Sequence, residues 1–263
     1  MDIKYVDLYV FSGTGNTLLM AKKVAQTFTS RGVNVKLLML EKSDPKSVNL
    51  DNMLGLAFPV AGFSTYPFVW DFIEALPETK TGTKVFMLDT LGGASGGIVG
   101  PLRQILRKKG YDTVGVTEII MPPNIWIVYP ERWSKYLVLR GERQAQKFVE
   151  NILAGNASWH RVPVLSDIVY HFSRWVTSLW RWDVNQKWFP FRTNKKKCNK
   201  CNRCIKICPR ENIYSAADGY PSHLDKCEYC MRCASFCPKD AIICGWAGKK
   251  RYHAAGVEYT EFE

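Results

Sequence analysis

No apolar run in this chain reaches the roughly 18 residues of a membrane-spanning helix, so no helical span is expected. The start of the sequence lacks the basic, then apolar, then small-residue order of a secretory leader, which makes the cytoplasm the expected compartment. The four histidines, His160, His171, His223 and His253, show no metal spacing among them, so satisfied or surface histidines are expected. No serine sits in a nucleophile-elbow motif with histidine and aspartate partners, and isolated serines are no evidence of such a site. No base-reading module accompanies the net charge of +12, so no nucleic acid is expected as a partner. That charge is uneven. Residues 1–124 carry 13 basic against 11 acidic side chains, residues 125–200 carry 14 against 5, and the remainder 9 against 8.

What is present begins with FSGTGNT, Phe11 to Thr17. It follows the apolar run Tyr5 to Phe11 and leads into Leu18, Ala21, Ala25 and Phe28, which recur at helical spacing, so the stretch reads as strand, tight loop and helix start. A helix N-terminus offers unpartnered N–H groups and the positive end of the summed peptide dipoles, which stabilise an anion. Gly13 and Gly15 let the backbone wrap closely, while Ser12, Thr14, Asn16 and Thr17 add hydroxyl and amide donors. The loop contains no lysine and matches neither GxxxxGK[ST] nor GxGxxG. A single terminal phosphate monoester is the expected ligand.

Eight of the nine cysteines fall in two copies of C-x2-C-x2-C-x3-C-P, beginning at Cys198 and Cys227. This run ligates [4Fe-4S] clusters in two-cluster ferredoxins, with the fourth cysteine of each run serving the other cluster. On that pattern Cys198, Cys201, Cys204 and Cys237 hold one cluster, and Cys227, Cys230, Cys233 and Cys208 the second. The copies are offset by 29 residues, and Lys197, Arg203, Pro209 and Ile213 recur as Lys226, Arg232, Pro238 and Ile242. Structural zinc favours two separated C-x2-C pairs and disulfides suit a secreted chain, so both are weaker readings. Cys244 is left over and is expected to be a buried or idle thiol.

Elements alternate in the N-terminal part. Strands are expected near Tyr5 to Phe11, Val33 to Leu40, Leu54 to Pro59, Lys84 to Thr90 and Thr113 to Met121, and helices near Thr17 to Ser30, Pro67 to Leu76, Ile98 to Lys109 and Glu131 to Leu153. That is an α/β, doubly wound, five-stranded parallel sheet, in which ligands bind beyond the strand C-termini where the strand order reverses. The loops after the first, third and fourth strands, FSGTGNT, PVAGFSTYP from Pro59 and TLGGASGGIVGP from Thr90, then share one rim.

On these motifs residues 1–155 resemble a flavodoxin, and residues 195–244 resemble a bacterial two-[4Fe-4S] ferredoxin, a small α+β domain. The resemblance implies FMN. Its phosphate is expected on Ser12, Gly13, Thr14, Gly15, Asn16 and Thr17, and its ring between Pro59, Val60, Gly62, Phe63 and Tyr66 on one side and Thr90, Leu91, Gly92, Gly93 and Ser95 on the other. Phe63 and Tyr66 are the stacking candidates, and Gly62 would permit the peptide flip by which flavodoxins stabilise one-electron-reduced flavin. The third loop has no aromatic, unlike the usual flavodoxin sandwich, and leaves one flavin face for a substrate, a second domain or a ring such as Trp126. The implied function is single-electron transfer between FMN and two [4Fe-4S] clusters and a redox partner protein. The alternative is an FMN-dependent reductase of a small acceptor of quinone, enone or porphyrin type.

Residues 156–194 read as a tryptophan-rich basic linker. Trp126 to Trp188 contains seven of the nine tryptophans, and Leu165, Ile168, Val169, Phe172, Trp175, Val176 and Leu179 form one helical stripe. A helix packed between domains is the plain reading, and a peripheral membrane contact or a partner-docking face the others. The run Lys195 to Lys197 marks the domain boundary. Lys197, Arg203, Lys226 and Arg232 either stabilise reduced clusters or form a solvated face. The tail 245–263 is expected to return along the surface or to fray. An oligomer that sets one chain's cluster beside another's flavin is also compatible with the sequence.

Overall fold

The computed structural model describes residues 3–93, 97–125, 127–159, 172, 187–244 and 251–263. Ser95, Trp126, His160, His171 and, Phe172 apart, the whole stripe from Leu165 to Leu179 lie outside the described residues.

Five parallel strands form the sheet: β1 (Tyr5–Val10), β2 (Asn34–Met39), β3 (Met53–Pro59), β4 (Lys84–Leu91) and β5 (Asp112–Ile120). Their order, β2-β1-β3-β4-β5, is that of a flavodoxin-like sheet and places the reversal between β1 and β3. The helices are α1 (Asn16–Ser30), α2 (Pro67–Ala75), α3 (Val99–Lys108) and α4 (Glu131–Ala154). Each element starts and ends within two residues of its sequence expectation. The central strand β3, MLGLAFP, is a near-continuous apolar run because both its faces are covered. Gly55 lies in it where Leu8 and Phe86 close in, and a Cβ there would stand 2.5 Å from each side chain.

Two cores flank the sheet. One joins Val10, Leu18, Val24, Phe28, Leu88 and Phe148, under α1 and α4. The other joins Phe11, Leu56, Trp70, Ile73, Met87 and Leu102, under α2 and α3. Asp89 faces this second layer wholly buried, paired in register with Glu118 on β5. Burial, and then the Glu118 carboxylate, push the Asp89 carboxyl well above the usual carboxylate range. Protonated Asp89 donates to the Glu118 carboxylate, which favours the neutral form of the buried carboxyl.

The C-terminal cysteine region is a small unit of two antiparallel pairs and two single-turn helices: β6 (Phe191–Thr193), α5 (Arg203–Lys206), β7 (Ile213–Ser215), β8 (Pro221–His223), α6 (Arg232–Ser235) and β9 (Ile242–Cys244). β6 pairs with β9 and β7 with β8. The 29-residue offset that relates the cysteine runs also relates β7 to β9, so each pair joins one copy to the other. The hydrogen-bonded unit therefore starts at Phe191, one strand before the lysine run that the sequence suggests as its edge.

The tail is anchored more firmly than a surface segment requires. Residues 251–263 run along the surface with about half of their side chains exposed, and Ala254, Val257 and Phe262 anchor them in the same core as α1 and α4. The Ala254 N–H donates to the Thr14 carbonyl at 2.8 Å, Lys22 pairs with Glu261, and Lys42 Nζ donates to the Glu263 carbonyl. The apolar positions are too far apart in sequence to show a period, so the packing has no local signal. Among the described residues no helix is long and apolar enough to cross a membrane.

Truncating Phe262 to alanine is expected to cost about 3–5 kcal/mol, the range for a buried aromatic, read as a fall in thermal midpoint. Folded Asp89 keeps its proton at pH values where the unfolded chain has lost it, so this group lowers stability as pH rises above the usual carboxylate range. Asp89→Asn should therefore gain stability over the parent by more at pH 8 than at pH 5, and paired melting curves check it.

Candidate functional site

Two cavities dominate the cysteine unit. One is lined by Cys198, Cys201, Cys204 and Cys237. The other is lined by Cys208, Cys227, Cys230 and Cys233. The structure thus gathers the eight cysteines into the two sets expected from spacing, each completed by the fourth cysteine of the other run. Burial pushes the Cys204 thiol up to about 12, and the neighbouring sulfurs of Cys237, Cys201 and Cys198 push the same way. Cys233 is raised by burial, then by Cys227, Cys230 and Cys208, and last by Cys204 of the other set, which places the two cavities side by side. Among the described residues no three Cys, His, Asp or Glu side chains converge where a single metal ion would sit. Each set lines a cavity of its own. Cys244 is buried on β9, near Cys227.

The duplicated chemistry has a duplicated backbone. The Lys200 and Tyr229 N–H groups donate to Cys198 and Cys227 Sγ, each at 3.4 Å. Asn212 and Ala241 N–H donate to Cys208 and Cys237 Sγ at 3.3 and 3.2 Å. Both pairs obey the 29-residue offset. So do the left-handed residues: Lys200 and Tyr229, Asn202 and Met231, Glu211 and Asp240 all have φ between 46° and 64°. Non-glycine residues adopt this region at a cost of order 1 kcal/mol, and here it turns N–H groups toward sulfur. Such bonds stabilise a thiolate cluster and set its potential.

At the other site, FSGTGNT sits between β1 and α1. Gly15 precedes the helix at φ 95°, a conformation that suits glycine. No acidic side chain occupies the first turn and no side chain caps it, so the positive end of the helix is uncompensated. The Ser12 hydroxyl accepts from the Gly15 N–H, and the Thr17 hydroxyl meets that of Thr90 at 2.7 Å, tying the first loop to the third. The loop and the helix start are buried, and their hydroxyls, amide and uncompensated helix end are the kinds of group that hold a phosphate. Val60 N–H donates to the Thr90 carbonyl and Gly97 N–H to the Phe63 carbonyl, so the second loop joins the same rim.

Gly62 and Phe63 have φ of 57° and 63° in a turn closed by reciprocal bonds between Ala61 and Ser64, the type that needs two left-handed residues. The two stacking candidates differ. Phe63 is 60% exposed, whereas Tyr66 is 6% exposed and sits edge-on to Phe11 at 5.2 Å within the second core. Tyr66 is thus a wall between the rim and the second cysteine set rather than an open ring. Pro59 and Val60 are half-buried, Thr90 and Leu91 buried, and Gly92 and Gly93 exposed.

Several rim residues carried no sequence signal. Asn124 Nδ2 donates to the Thr14 hydroxyl at 2.9 Å, and the Tyr252 hydroxyl donates to Asn16 Oδ1 at 2.7 Å. Asn124 follows β5, so the rule that ligands meet strand C-termini points at it. Tyr252 lies in the motif-free tail.

The two sites touch. A Cβ added at Gly13 would lie 2.1 Å from the Cys230 carbonyl oxygen, so only glycine fits where the cysteine loop rests on the first loop. Beside it, Arg232 is 1% exposed. Its Nε and Nη2 donate to the Ser12 carbonyl at 3.0 and 2.8 Å and its Nη1 to the Ile207 carbonyl at 3.1 Å. Nη2 also lies 2.6 Å from Glu41 Oε1, without the alignment of a hydrogen bond. Phe262 and Phe11 face its guanidinium with centroids at 4.3 and 5.2 Å. The solvated-face reading fails for Arg232. It holds better for Arg203, half-buried over the Tyr259 ring at 4.0 Å.

Residues 221–243 match the model of the 4Fe-4S binding domain family, which covers the second cysteine copy. A curated protein, coenzyme F420H(2) oxidase of Methanothermobacter marburgensis, is 26% identical over 116 residues, 41% of this chain and 29% of that protein. The chain therefore spans under a third of that relative's length. Among solved structures, a flavodoxin of Streptococcus pneumoniae TIGR4 aligns with 57% of this chain and 98% of its own, at 16% identity and a TM-score of 0.45. The flavodiiron protein of Giardia intestinalis aligns with 60% of this chain and 38% of its own, at 19% identity and a TM-score of 0.37.

Arg232→Ala is expected to destabilise the chain by about 3–5 kcal/mol, because it strands the buried Glu41 carboxylate. Arg232→Met combined with Glu41→Gln should recover more than half of that loss in a double-mutant comparison of thermal midpoints.

Proposed function

We propose that this chain is an electron-transfer iron-sulfur flavoprotein with FMN on the sheet rim and two [4Fe-4S] clusters in the cysteine unit. The observation that carries the reading is the direct packing of the second cysteine loop, at Cys230, on Gly13 of the phosphate-type loop. When bound, FMN exchanges electrons singly or in pairs and each cluster exchanges one at a time.

The chain's own residues do the rest. The N-terminus of α1 and the hydroxyls of Ser12, Thr14 and Thr17 would hold the FMN phosphate, with Asn124 and Tyr252 fixing the loop's side chains. Phe63, held out by its left-handed backbone, would lie against the flavin ring, and Gly62 is already in the backbone region that a peptide flip requires. Cys198, Cys201, Cys204 and Cys237 would hold one cluster, and Cys227, Cys230, Cys233 and Cys208 the other. Tyr66, Phe11 and Arg232 exclude water from the wall between the second set and the rim. The redox partner protein is part of the proposal.

A second reading is an FMN-dependent reductase of a small quinone-, enone- or porphyrin-type acceptor. It is favoured by the exposure of Phe63, Gly92 and Gly93, which leaves the rim accessible. Acceptor-dependent turnover that saturates with the small molecule would favour this reading over the carrier.

Protein purified without oxygen should contain about eight iron, eight acid-labile sulfide and one FMN per chain. Cys208→Ser and Cys237→Ser should each lower the iron content toward half, in different sets. Zinc in place of iron, or a flavin-free protein that takes up no FMN, would refute the proposal.

A further inference from the structure

The two copies of the cysteine unit have diverged in charge, and the divergence follows the packing. Residues 195–206 carry six basic side chains, Lys195, Lys196, Lys197, Lys200, Arg203 and Lys206, and no acidic one. The same window 29 residues later, 224–235, carries two basic and two acidic side chains and no net charge. Lys200 becomes Tyr229, Asn202 becomes Met231 and Lys206 becomes Ser235.

Those replacements mark the copy that is covered. Tyr229, Met231, Arg232 and Ser235 are all buried. Glu228 Oε2 accepts from the Phe68 N–H at 3.3 Å, and the Cys230 carbonyl rests on Gly13. The first copy faces outward. The five lysines of its window are exposed, and Cys201 is exposed while the other eight cysteines are half-buried or buried. Asp218 and Glu263 offset part of the charge, pairing with Lys195 at 2.6 Å and Lys206 at 3.2 Å. The side chains of Lys196 and Lys197 have no ion-pair partner among the described residues.

We infer that the face around Cys201, rimmed by Lys196, Lys197 and Lys200, is the docking surface for an acidic redox protein. The second cysteine set then serves only the interior of the chain. This rests on the iron-sulfur reading above. A lysine rim raises the association rate of an acidic partner by steering, an effect of about 10- to 1,000-fold that salt suppresses. An exposed cysteine at its centre lets that partner approach one cysteine set closely. Within the window 195–206 there is no aromatic and one aliphatic side chain, the half-buried Ile205, which favours a protein over an anionic membrane. The exposed Trp188 and Phe189 just before it make vesicle binding the competing outcome of the test.

The test uses anaerobically purified holoprotein and an acidic plant-type ferredoxin, titrated calorimetrically at low ionic strength. Lys196→Glu with Lys197→Glu should weaken binding about tenfold or more. Lys80→Glu with Lys108→Glu, equal in charge change and at the opposite end of the sheet, should stay within about twofold. The rate of reduction by the photoreduced ferredoxin should fall in parallel, while reduction by neutral photoreduced 5-deazariboflavin should not change. No loss on the rim reversal, an equal loss in the control pair, or lysine-dependent binding to phosphatidylserine vesicles without binding to the ferredoxin overturns the inference. If iron and flavin are present and the rim reversal is silent, this inference fails alone. If iron is absent, the reading beneath it fails as well.

Discussion

The constraint on which the molecule depends is the backbone contact between Gly13 and the Cys230 carbonyl, clamped by Arg232. A buried guanidinium is costly unless its donors and charge are satisfied. Here it binds two carbonyls from different parts of the chain, lies against one carboxylate and is faced by two rings. Its partners come from the first loop, the turn after β2, the first cysteine run and the tail. One side chain therefore sets the position of the cysteine unit on the sheet, and the absence of a Cβ at Gly13 sets how close it comes.

This explains where the tail packs. Once the cysteine unit rests beside the first loop, a gap lies above α1. Ala254, Val257 and Phe262 fill it, and Tyr252 reaches Asn16. Burial of a few apolar groups is enough, since each is worth one to three kcal/mol by area alone, about. The first loop is thus enclosed on one side by protein, which suits a site that must keep water from a bound anion. The second loop, with Phe63 exposed, keeps the other side accessible.

The duplication shows how one motif takes two roles. The backbone is repeated closely, down to the left-handed residues and the N–H to sulfur bonds, because the cysteine geometry requires it. The side chains between the cysteines are not bound by that requirement. They follow what surrounds them, so the copy facing the sheet is neutral and buried, and the copy facing solvent is basic.

Much of this was legible in the chain itself. Period and turn residues determined the five strands and four helices, because local patterning matches the side of the sheet each residue faces. Cysteine spacing grouped the first three sulfurs of each run, because a short loop limits which sulfurs can meet, and the ferredoxin pattern supplied the exchanged fourth. The sequence also marked Gly13 and the other loop residues, but only as a phosphate-type loop. Tertiary structure alone decided that Arg232 is buried rather than solvated, that Tyr66 belongs to a wall and Phe63 to the rim, and that the tail is a strap. Each of these depends on which surface meets which across more than a hundred residues of chain, and no local period or spacing encodes that meeting.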